Sequence, residues 1–373
     1  MKRILIGVTY YHPYISGVSV YAKILAEKLM KTNKVEIISA KYQKGLRSGE
    51  LVNKVKINRV SGYQIGKGFM MWQYPLVSFR KVRSADIVNC HLPSIESFWL
   101  ALWAKMLKKE LIVTYHCHFD SGNKLLNFII ELIHLPALIW AKKIVVNSLD
   151  YVKGNNLLNN YQDKLVEIFP PIKIVKSHEK IKIKGNFKVG YLGRISKEKN
   201  LECLIRSFAK LPKEYVLVLA GPEKIVGEIK YQKLINNLIK KNKNIIRMGE
   251  IDNPVKLFNS IDCLVLPSNN PLESFGMVAA EAIKSGCPVI TSDIPGVRLP
   301  VKLSKMGELF ESNNSEDLKS KIILVCKKGK EFYREKAKNL ELFDYKKTIK
   351  KYEKLFVSVK KTKIRMDGIG ENF

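Results

Sequence analysis

Short apolar runs recur along the 373-residue chain, and the spacing between most of them leaves room for a helix. In the first half they are RILIGV (3–8), VEIISA (35–40), VKINRV (55–60), DIVNCH (86–91), LIVTYH (111–116) and KIVVNS (143–148). In the second half they are FKVGYLG (187–193), YVLVLAG (215–221), NIIRMG (244–249), CLVLPS (263–268) and PVITSD (288–293). Strands that alternate with helices form parallel sheets covered on both faces. The pattern therefore predicts an α/β chain with two doubly wound parallel sheets.

The chain length and the lysine-rich stretch KIVKSHEKIKIKGN divide these strands into two domains, because one core stops growing at about 250 to 300 residues. We predict a Rossmann-like domain over residues 1–172, a linker over 173–186 and a second Rossmann-like domain over 187–344. A basic amphipathic helix over 345–360 is expected to pack back toward the first domain, and the tail over 361–373 is expected to be disordered. Two such domains are expected to face each other across a cleft.

The net charge of +31 is the most unusual bulk property, and both halves of the chain are basic. Attraction to anionic lipid head groups or to a polyanion is one interpretation, and a genome biased toward lysine, asparagine and isoleucine is the other. The basic residues are dispersed and form no recognisable nucleic-acid module, so we expect no nucleic-acid partner. The N-terminus has no signal-peptide core, and the six cysteines are scattered, which favours a reduced, cytoplasmic protein.

The stretch PSNNPLESFGMVAAEAIKSGCPVITSD places two glutamates, Glu273 and Glu281, across a loop that runs into a helix. If the helix starts near Gly276, one carboxylate lies just ahead of its N-terminus and the other lies in its second turn. Between them lie backbone N–H groups at the positive end of a helix dipole, those of Ser274, Phe275, Gly276 and Met277. This combination suits a ligand with both hydroxyls and an anion, such as a nucleotide sugar.

Other polar residues follow strand ends. Arg194 and Lys199 come after FKVGYLG, where two cations can hold a diphosphate, although an ordinary basic loop is the alternative. Gly17 lies where a first helix begins and lets backbone approach a phosphate. The spacing of His116 and His118 in HCHFD is compatible with a metal site, but no further metal ligands stand at a recognisable spacing. We therefore expect no metal, and His116 is interpreted as lining the cleft or as a structural histidine.

Taken together, these motifs resemble family 4 of the retaining glycosyltransferases, of GT-B fold, over roughly residues 1 to 355. The most specific match is ESFGMVAAEAIKSGCPVI, which follows the E-x7-E segment of that family. The segments SGVSVYAKILAEKL, VTYH, YLGRISKEKN and DCLVLPS fall in the expected order. The resemblance implies that the first domain faces the acceptor and that the second binds the nucleotide sugar.

The resemblance also implies site roles. Glu273 would bind hydroxyls of the donor sugar together with the neighbouring backbone N–H groups, and Glu281 would bind the ribose diol. Arg194 and Lys199 would hold the diphosphate, and they would act with Glu273 and His116 as the catalytic set.

Three further positions follow from the same resemblance. Gly17 would approach the diphosphate from the first domain, and the loop at Glu250 and Ile251 would meet the nucleobase through backbone groups. The chain departs from the family pattern at two places, and the second, at Arg298, puts transfer of donor or acceptor preference in doubt. Ser16-Gly17 stands where relatives commonly have Gly-Gly, and Arg298 stands where many have a glutamate.

The implied activity is transfer of a sugar from a nucleoside diphosphate sugar, with retained configuration and with no metal or other cofactor. The acceptor is expected to be a lipid or a lipid-linked glycan. A non-catalytic binder of nucleotide sugars or of a polyanion is the alternative. Two segments rich in apolar and basic residues, 67–84 and 125–143, suggest an enzyme that docks on an anionic membrane at its cytoplasmic face, although core helices would explain them equally.

Overall fold

The computed structural model describes residues 1–65, 68–222 and 228–361, which form two compact units. Unit 1 comprises Met1–Asn147, Leu157–Pro171 and the chain from Tyr345 onward, and unit 2 comprises Ser148–Asn156 and Ile172–Asp344. Lys67 of the predicted docking segment and the predicted tail beyond residue 361 lie outside the described residues.

The elements up to residue 171 alternate much as the sequence predicts. The strands are β1 (Arg3–Gly7), β2 (Lys34–Ala40), β3 (Gly49–Val52), β4 (Val55–Val60), β5 (Tyr63–Ile65), β6 (Gly68–Met70), β7 (Ile87–Leu92), β8 (Glu110–Tyr115), β9 (Lys143–Val146) and β10 (Leu165–Glu167). The helices are α1 (Gly17–Leu29), α2 (Tyr74–Ser84), α3 (Ser97–Met106), α4 (Lys124–Trp140), α5 (Leu149–Val152) and α6 (Asn156–Asn159).

The remaining elements follow the same alternation. The strands are β11 (Phe187–Leu192), β12 (Tyr215–Ala220), β13 (Ile245–Gly249), β14 (Cys263–Leu266), β15 (Val289–Ser292) and β16 (Gly307–Phe310). The helices are α7 (Leu201–Phe208), α8 (Ile229–Lys240), α9 (Pro254–Ser260), α10 (Met277–Lys284), α11 (Leu299–Ser304), α12 (Ser315–Glu335) and α13 (Tyr345–Lys361).

Each unit is built on one main sheet. The unit 1 sheet has the order β10-β9-β8-β7-β1-β2-β4-β3 and is parallel apart from β3, which pairs antiparallel with β4. The unit 2 sheet has the order β13-β12-β11-β14-β15-β16, with parallel pairing throughout. The chain reverses its direction across this sheet between β11 and β14, and such a switch point opens a crevice at the carboxyl ends of the strands. The predicted fold class, two doubly wound parallel sheets, is confirmed.

Burial explains why the central strands read as continuous apolar runs. All six residues of β7 are buried, as are all four of β14, because helices cover both faces of these sheets. On one face of the unit 1 sheet, α13 packs against α1, and the hydroxyl groups of Tyr21 and Tyr352 lie 2.8 Å apart in the core between them. The C-terminal helix is therefore an integral part of unit 1.

Two segments differ from the predicted boundaries. Residues 148–156 group with unit 2, where Asp150 accepts hydrogen bonds from Arg298 at 2.6 and 2.8 Å and from the backbone N–H of Gly296 at 2.9 Å. Residues 173–186 have no helix or extended strand and belong to unit 2, where Ile181 N–H donates to Ser260 Oγ of α9 at 2.7 Å. In both segments, hydrogen bonds to residues distant in sequence tie the chain to unit 2, and local composition does not reveal such contacts.

Candidate functional site

The switch point of the unit 2 sheet brings Lys199 and Glu273 together. Lys199 follows β11, Glu273 follows β14, and the two form an ion pair between partly buried side chains that are 16% and 14% exposed. Ser268 Oγ donates to the same carboxylate oxygen, Oε2, at 3.0 Å. The pair therefore lies at the sheet edge where this fold class binds ligands, and its geometry is fixed by a third side chain.

The turn after β11 holds Arg194 at the same edge. Gly221 has φ 137°, and a side chain there would meet the carbonyl oxygen of Gly193 at 2.1 Å, so the two strand ends approach as closely as only glycine allows. The buried Tyr191 hydroxyl donates to the carbonyl of Arg194 at 2.6 Å. The exposed guanidinium of Arg194 lies 3.2 Å from Glu198, so the cation is available to a ligand from solvent.

Helix α10 begins beside the Lys199–Glu273 pair. Its N-cap, Gly276, has φ 74° and ψ 63°, and a Cβ there would meet Leu266 at 2.8 Å, which explains why glycine stands at this position. Phe275 is 2% exposed and packs against Phe343, which anchors the loop. The first two N–H groups of the helix, those of Met277 and Val278, have no acceptor within their own helix and lie at its positive dipole end.

Glu281 occupies the second turn of α10, as the sequence predicts. Burial raises the pKa of its carboxyl from 4.5 to about 7. Within residues 1–65, 68–222 and 228–361, its carboxylate makes no hydrogen bond or ion pair. By surface area the Glu281 side chain is only partly buried, so a ligand can reach it, and an unpaired carboxylate can accept two hydrogen bonds from a vicinal diol.

Glu250 and Ile251 follow β13 at the same edge of the sheet. The pairing of β12 with β13 shifts by one residue at its end, so that Ala220 lies opposite Gly249, and Gly221 N–H donates to the Gly249 carbonyl at 2.8 Å. The Glu250 side chain is exposed and Ile251 is partly buried. Unit 2 thus collects the following predicted site residues at the carboxyl ends of its strands and at α10: Arg194, Lys199, Glu250, Ile251, Glu273, Ser274, Phe275, Gly276, Met277 and Glu281.

The other two predicted positions, Gly17 and His116, belong to unit 1. Gly17 is the first residue of α1, whose N-cap Ser16 forms a reciprocal capping box with Ser19. His116 follows β8, is 4% exposed, and has its pKa lowered from 6.5 to about 3 by burial. His118 instead lies 3.5 Å from Glu131. Among the described residues there is no group of three side chains that could hold a metal ion.

Several contributing residues are absent from the predicted set. Glu198 stands four residues after Arg194, a spacing that itself favours an ion pair within one turn. Ser268 ends the CLVLPS run and gives no comparable signal. Asn89 and His91 are alternate residues of the buried strand β7. Two polar residues on one face of a central strand are a sequence signal that could have identified them as functional candidates.

Two families match the chain by sequence. The glycosyl transferases group 1 family matches residues 173–341, and glycosyltransferase family 4 matches residues 15–153. The first range contains every predicted site residue of unit 2, and the second contains Gly17 and His116. The resemblance noted from the motifs is confirmed.

Individual relatives support the same conclusion. The uncharacterized glycosyltransferase MJ1178 of Methanocaldococcus jannaschii is 24% identical over 328 residues, which cover 84% of this chain and 85% of that protein. The capsular polysaccharide biosynthesis glycosyltransferase CapM of Staphylococcus aureus is 27% identical over 155 residues, which cover 40% of this chain and 39% of that protein.

Solved structures show the same fold. Anabaena Alr3699/HepE in complex with UDP and glucose has a TM-score of 0.76 at 16% identity, covering 96% of this chain and 100% of that one. Sucrose-phosphate synthase from Thermosynechococcus elongatus has a TM-score of 0.76 at 17% identity, covering 96% and 99%. The GT-B prediction is thereby confirmed.

Proposed function

Since the chain belongs to glycosyltransferase family 4 and the glycosyl transferases group 1, we propose that unit 2 binds a nucleoside diphosphate sugar at the switch point of its sheet and transfers the sugar. The observation that carries this proposal is the Lys199–Glu273 pair, oriented by Ser268 beside the N-terminus of α10. The HepE structures contain UDP and UDP-glucose, so UDP-glucose is the first donor to test.

The diphosphate would lie against Lys199, Arg194 and the first turn of α10. Lys199 is already paired with Glu273, so a phosphate oxygen would share the ammonium group rather than meet an isolated charge. As the bond between the sugar and the diphosphate breaks, negative charge grows on the leaving phosphate, and fixed cations stabilise that charge. The Glu273 carboxylate would then accept hydrogen bonds from the hydroxyl groups of the sugar.

We propose that the configuration at the anomeric carbon is retained and that no metal is needed. The acceptor oxygen would bond to the anomeric carbon on the face from which the diphosphate leaves, and its proton would pass to the departing phosphate oxygen. Lys199 and Arg194 supply the positive charge that a divalent cation supplies elsewhere. Nuclear magnetic resonance of the product would give its anomeric configuration, and an inverted linkage would exclude this mechanism.

The test of the donor site uses a panel of nucleotide sugars with each variant. Release of nucleoside diphosphate should be lost in Lys199→Ala and Glu273→Gln and kept in Lys197→Ala, because Lys197 is exposed and lies in the same turn as Lys199. A protein that binds a nucleotide sugar but never releases the diphosphate, with any acceptor, would instead be the non-catalytic binder. Unchanged turnover in Lys199→Ala would show that the assignment of the donor site is wrong.

We further propose a membrane lipid or lipid-linked glycan as acceptor, supported by the outer face of α4. Six large apolar side chains on this helix are 43% to 68% exposed: Leu125, Leu126, Phe128, Ile129, Leu132 and Ile139. The opposite face holds the buried Ile130, His134, Ala137 and Leu138. Within Lys124–Trp140 the charged residues are Lys124 and Glu131, and the exposed apolar residues extend for about 21 Å along the helix.

The charges on α4 and on the two helices packed in series with it are mainly positive, which favours an anionic bilayer as the partner of this surface. Helices α2, α3 and α4 pack in sequence on one another. Their charged residues are the cations Arg80, Arg83, Lys105 and Lys124, the carboxylate Glu131, and Lys81, which is paired with Glu36 at 3.0 Å. Each cation near an anionic surface contributes on the order of 1 kcal/mol, and the apolar side chains enter the acyl boundary.

The structure corrects part of the predicted docking segments. In residues 67–84, Phe69, Met71 and Tyr74 are buried in unit 1, whereas Met70 and Trp72 are 51% and 62% exposed. That segment is therefore partly core, because β6 and α2 each bury one face in unit 1 and expose the other. Among the helices of the described chain, none is long and apolar enough to span a membrane.

Co-sedimentation with phosphatidylglycerol vesicles, compared with phosphatidylcholine vesicles, tests the membrane proposal. The double variant Phe128→Ser/Leu132→Ser should stay in the supernatant, and Leu51→Ser, which alters a 70% exposed leucine on β3, should bind like the wild type. Wild-type protein that stays in the supernatant with anionic vesicles at low salt would contradict the proposal. So would a lipid-free dimer that dissociates in the double variant, because a second copy would then be what covers α4.

A further inference from the structure

The side-chain amide of Asn89 has only one acceptable orientation. Asn89 is fully buried on β7, and its Nδ2 lies 3.3 Å from the carbonyl oxygen of Ile112 and 2.9 Å from Thr114 Oγ1. A carbonyl oxygen can only accept, so the amide nitrogen must face Ile112. The amide oxygen therefore faces His91, whose Nε2 lies 2.9 Å away.

This orientation fixes the protons of two histidines in turn. Because Asn89 Oδ1 can only accept, His91 Nε2 must carry a proton. Burial lowers the pKa of His91 well below 6.5, so the ring is neutral and its Nδ1 is an acceptor. His91 Nδ1 lies 2.9 Å from Nε2 of His116, which must then be the donor. The neutral His116 ring consequently carries a lone pair on Nδ1.

We propose that Asn89 and His91 are positioning residues that hold His116 in its Nε2–H tautomer, so that Nδ1 accepts a hydrogen bond from a substrate hydroxyl. The role of that hydroxyl rests on the proposed function, whereas the tautomer rests on unit 1 alone. Within the described residues, Nδ1 of His116 receives no hydrogen bond. A neutral acceptor binds a hydroxyl and repels a phosphate oxygen, so His116 contributes to sugar binding and not to diphosphate binding.

The surrounding core holds this relay rigid. Asn89 and His91 are alternate residues of β7, and Thr114 and His116 are alternate residues at and just after the end of β8. All four side chains therefore lie on the same face of the sheet. The Tyr21 ring packs nearly perpendicular to the His116 ring, with a centroid distance of 4.8 Å. Tyr352 of α13 lies 2.9 Å from the Thr114 hydroxyl. Both terminal helices of unit 1 therefore restrain the rings whose tautomers are fixed.

The tautomers can be read directly in the wild-type protein. Long-range ¹⁵N–¹H correlation spectra of histidine-labelled protein at pH 7.5 distinguish Nδ1–H from Nε2–H rings. His134 provides an internal reference with the opposite tautomer. The Ser94 N–H donates to its Nε2 at 3.2 Å, so its neutral ring must carry the proton on Nδ1. We expect Nε2–H for His91 and His116 and Nδ1–H for His134. An Nδ1–H or imidazolium signal for His116 would overturn the proposal.

The variant Asn89→Leu tests the consequence for turnover. Loss of the amide oxygen frees His91 to reverse its proton, so the His116 signals should move toward a mixture of tautomers. Turnover should fall at least about tenfold, since a misplaced imidazole proton is costly to an active site. Nucleotide affinity should stay unchanged. A His116 tautomer that is unaltered in this variant would refute the relay, even if turnover falls. Altered tautomers with full turnover would refute the role in substrate binding and leave the donor site of unit 2 intact.

Discussion

The pH dependence of donor binding follows from the carboxyl of Glu281. Burial on α10 raises its pKa to about 7, so part of the free enzyme carries a proton there at neutral pH. If both ribose hydroxyls donate to this group, the bound state requires the ionised form, and the proton must leave when the donor binds. Affinity should therefore rise with pH.

The size of the effect follows from the pKa. With a pKa of about 7, roughly one tenth of the free enzyme is ionised at pH 6 and roughly nine tenths at pH 8. The dissociation constant of an intact nucleotide sugar should thus be about tenfold larger at pH 6 than at pH 8, which corresponds to a difference of about 1.4 kcal/mol in binding free energy. At pH 7 about half a proton should be released for each donor bound.

Isothermal titration calorimetry in buffers of different ionisation enthalpy measures both quantities. An intact nucleotide sugar is the right probe, because its diphosphate has no ionisable proton between pH 6 and pH 8. Glu281→Gln keeps the shape of the side chain without the titrating group, so its weaker binding should be independent of pH. A wild-type affinity that is constant over this range, or a variant with the same pH dependence, would refute the ribose role of Glu281.

Three further predictions follow from the same site. Lys199→Ala should lose about 2 to 4 kcal/mol of transition-state stabilisation, measured as kcat/KM against Lys197→Ala, and equal values would exclude the diphosphate role. Glu281→Gln should melt higher than the wild type at pH 8, with a difference that shrinks toward pH 5. The reason is that a carboxyl whose pKa rises from 4.5 to about 7 on folding destabilises the protein only once pH exceeds the lower value. Turnover should persist in excess chelator, and recovery only on adding a divalent metal would contradict the proposed charge balance.

The sequence predicts the framework of unit 2 because the framework depends on local patterns. Apolar runs flanked by glycine mark β11 and β12, and Gly276 marks the start of α10. The motif ESFGMVAAEAIKSG then places Glu273 and Glu281 relative to that helix. What the sequence does not give is the ion pair of Lys199 with Glu273, because these residues meet only through the parallel pairing of β11 with β14.

Other features depend equally on distant contacts. The assignment of residues 148–156 to unit 2 depends on Asp150, which Arg298 binds from a position 148 residues later. The departure noted at Arg298 thus has a structural explanation in this chain, although its effect on substrate preference stays a prediction. The sequence does not predict the short strands β3, β5, β6, β10 and β16, because a glycine, glutamine or glutamate interrupts the apolar pattern in each of these three- or four-residue segments.

The most direct test of the donor site is a crystal structure of the enzyme with its intact nucleotide sugar. We predict a diphosphate oxygen at about 3 Å from Lys199 Nζ, with the ribose hydroxyls on the Glu281 carboxylate. A nucleotide bound elsewhere, or a diphosphate held without contact to Lys199, would contradict the account.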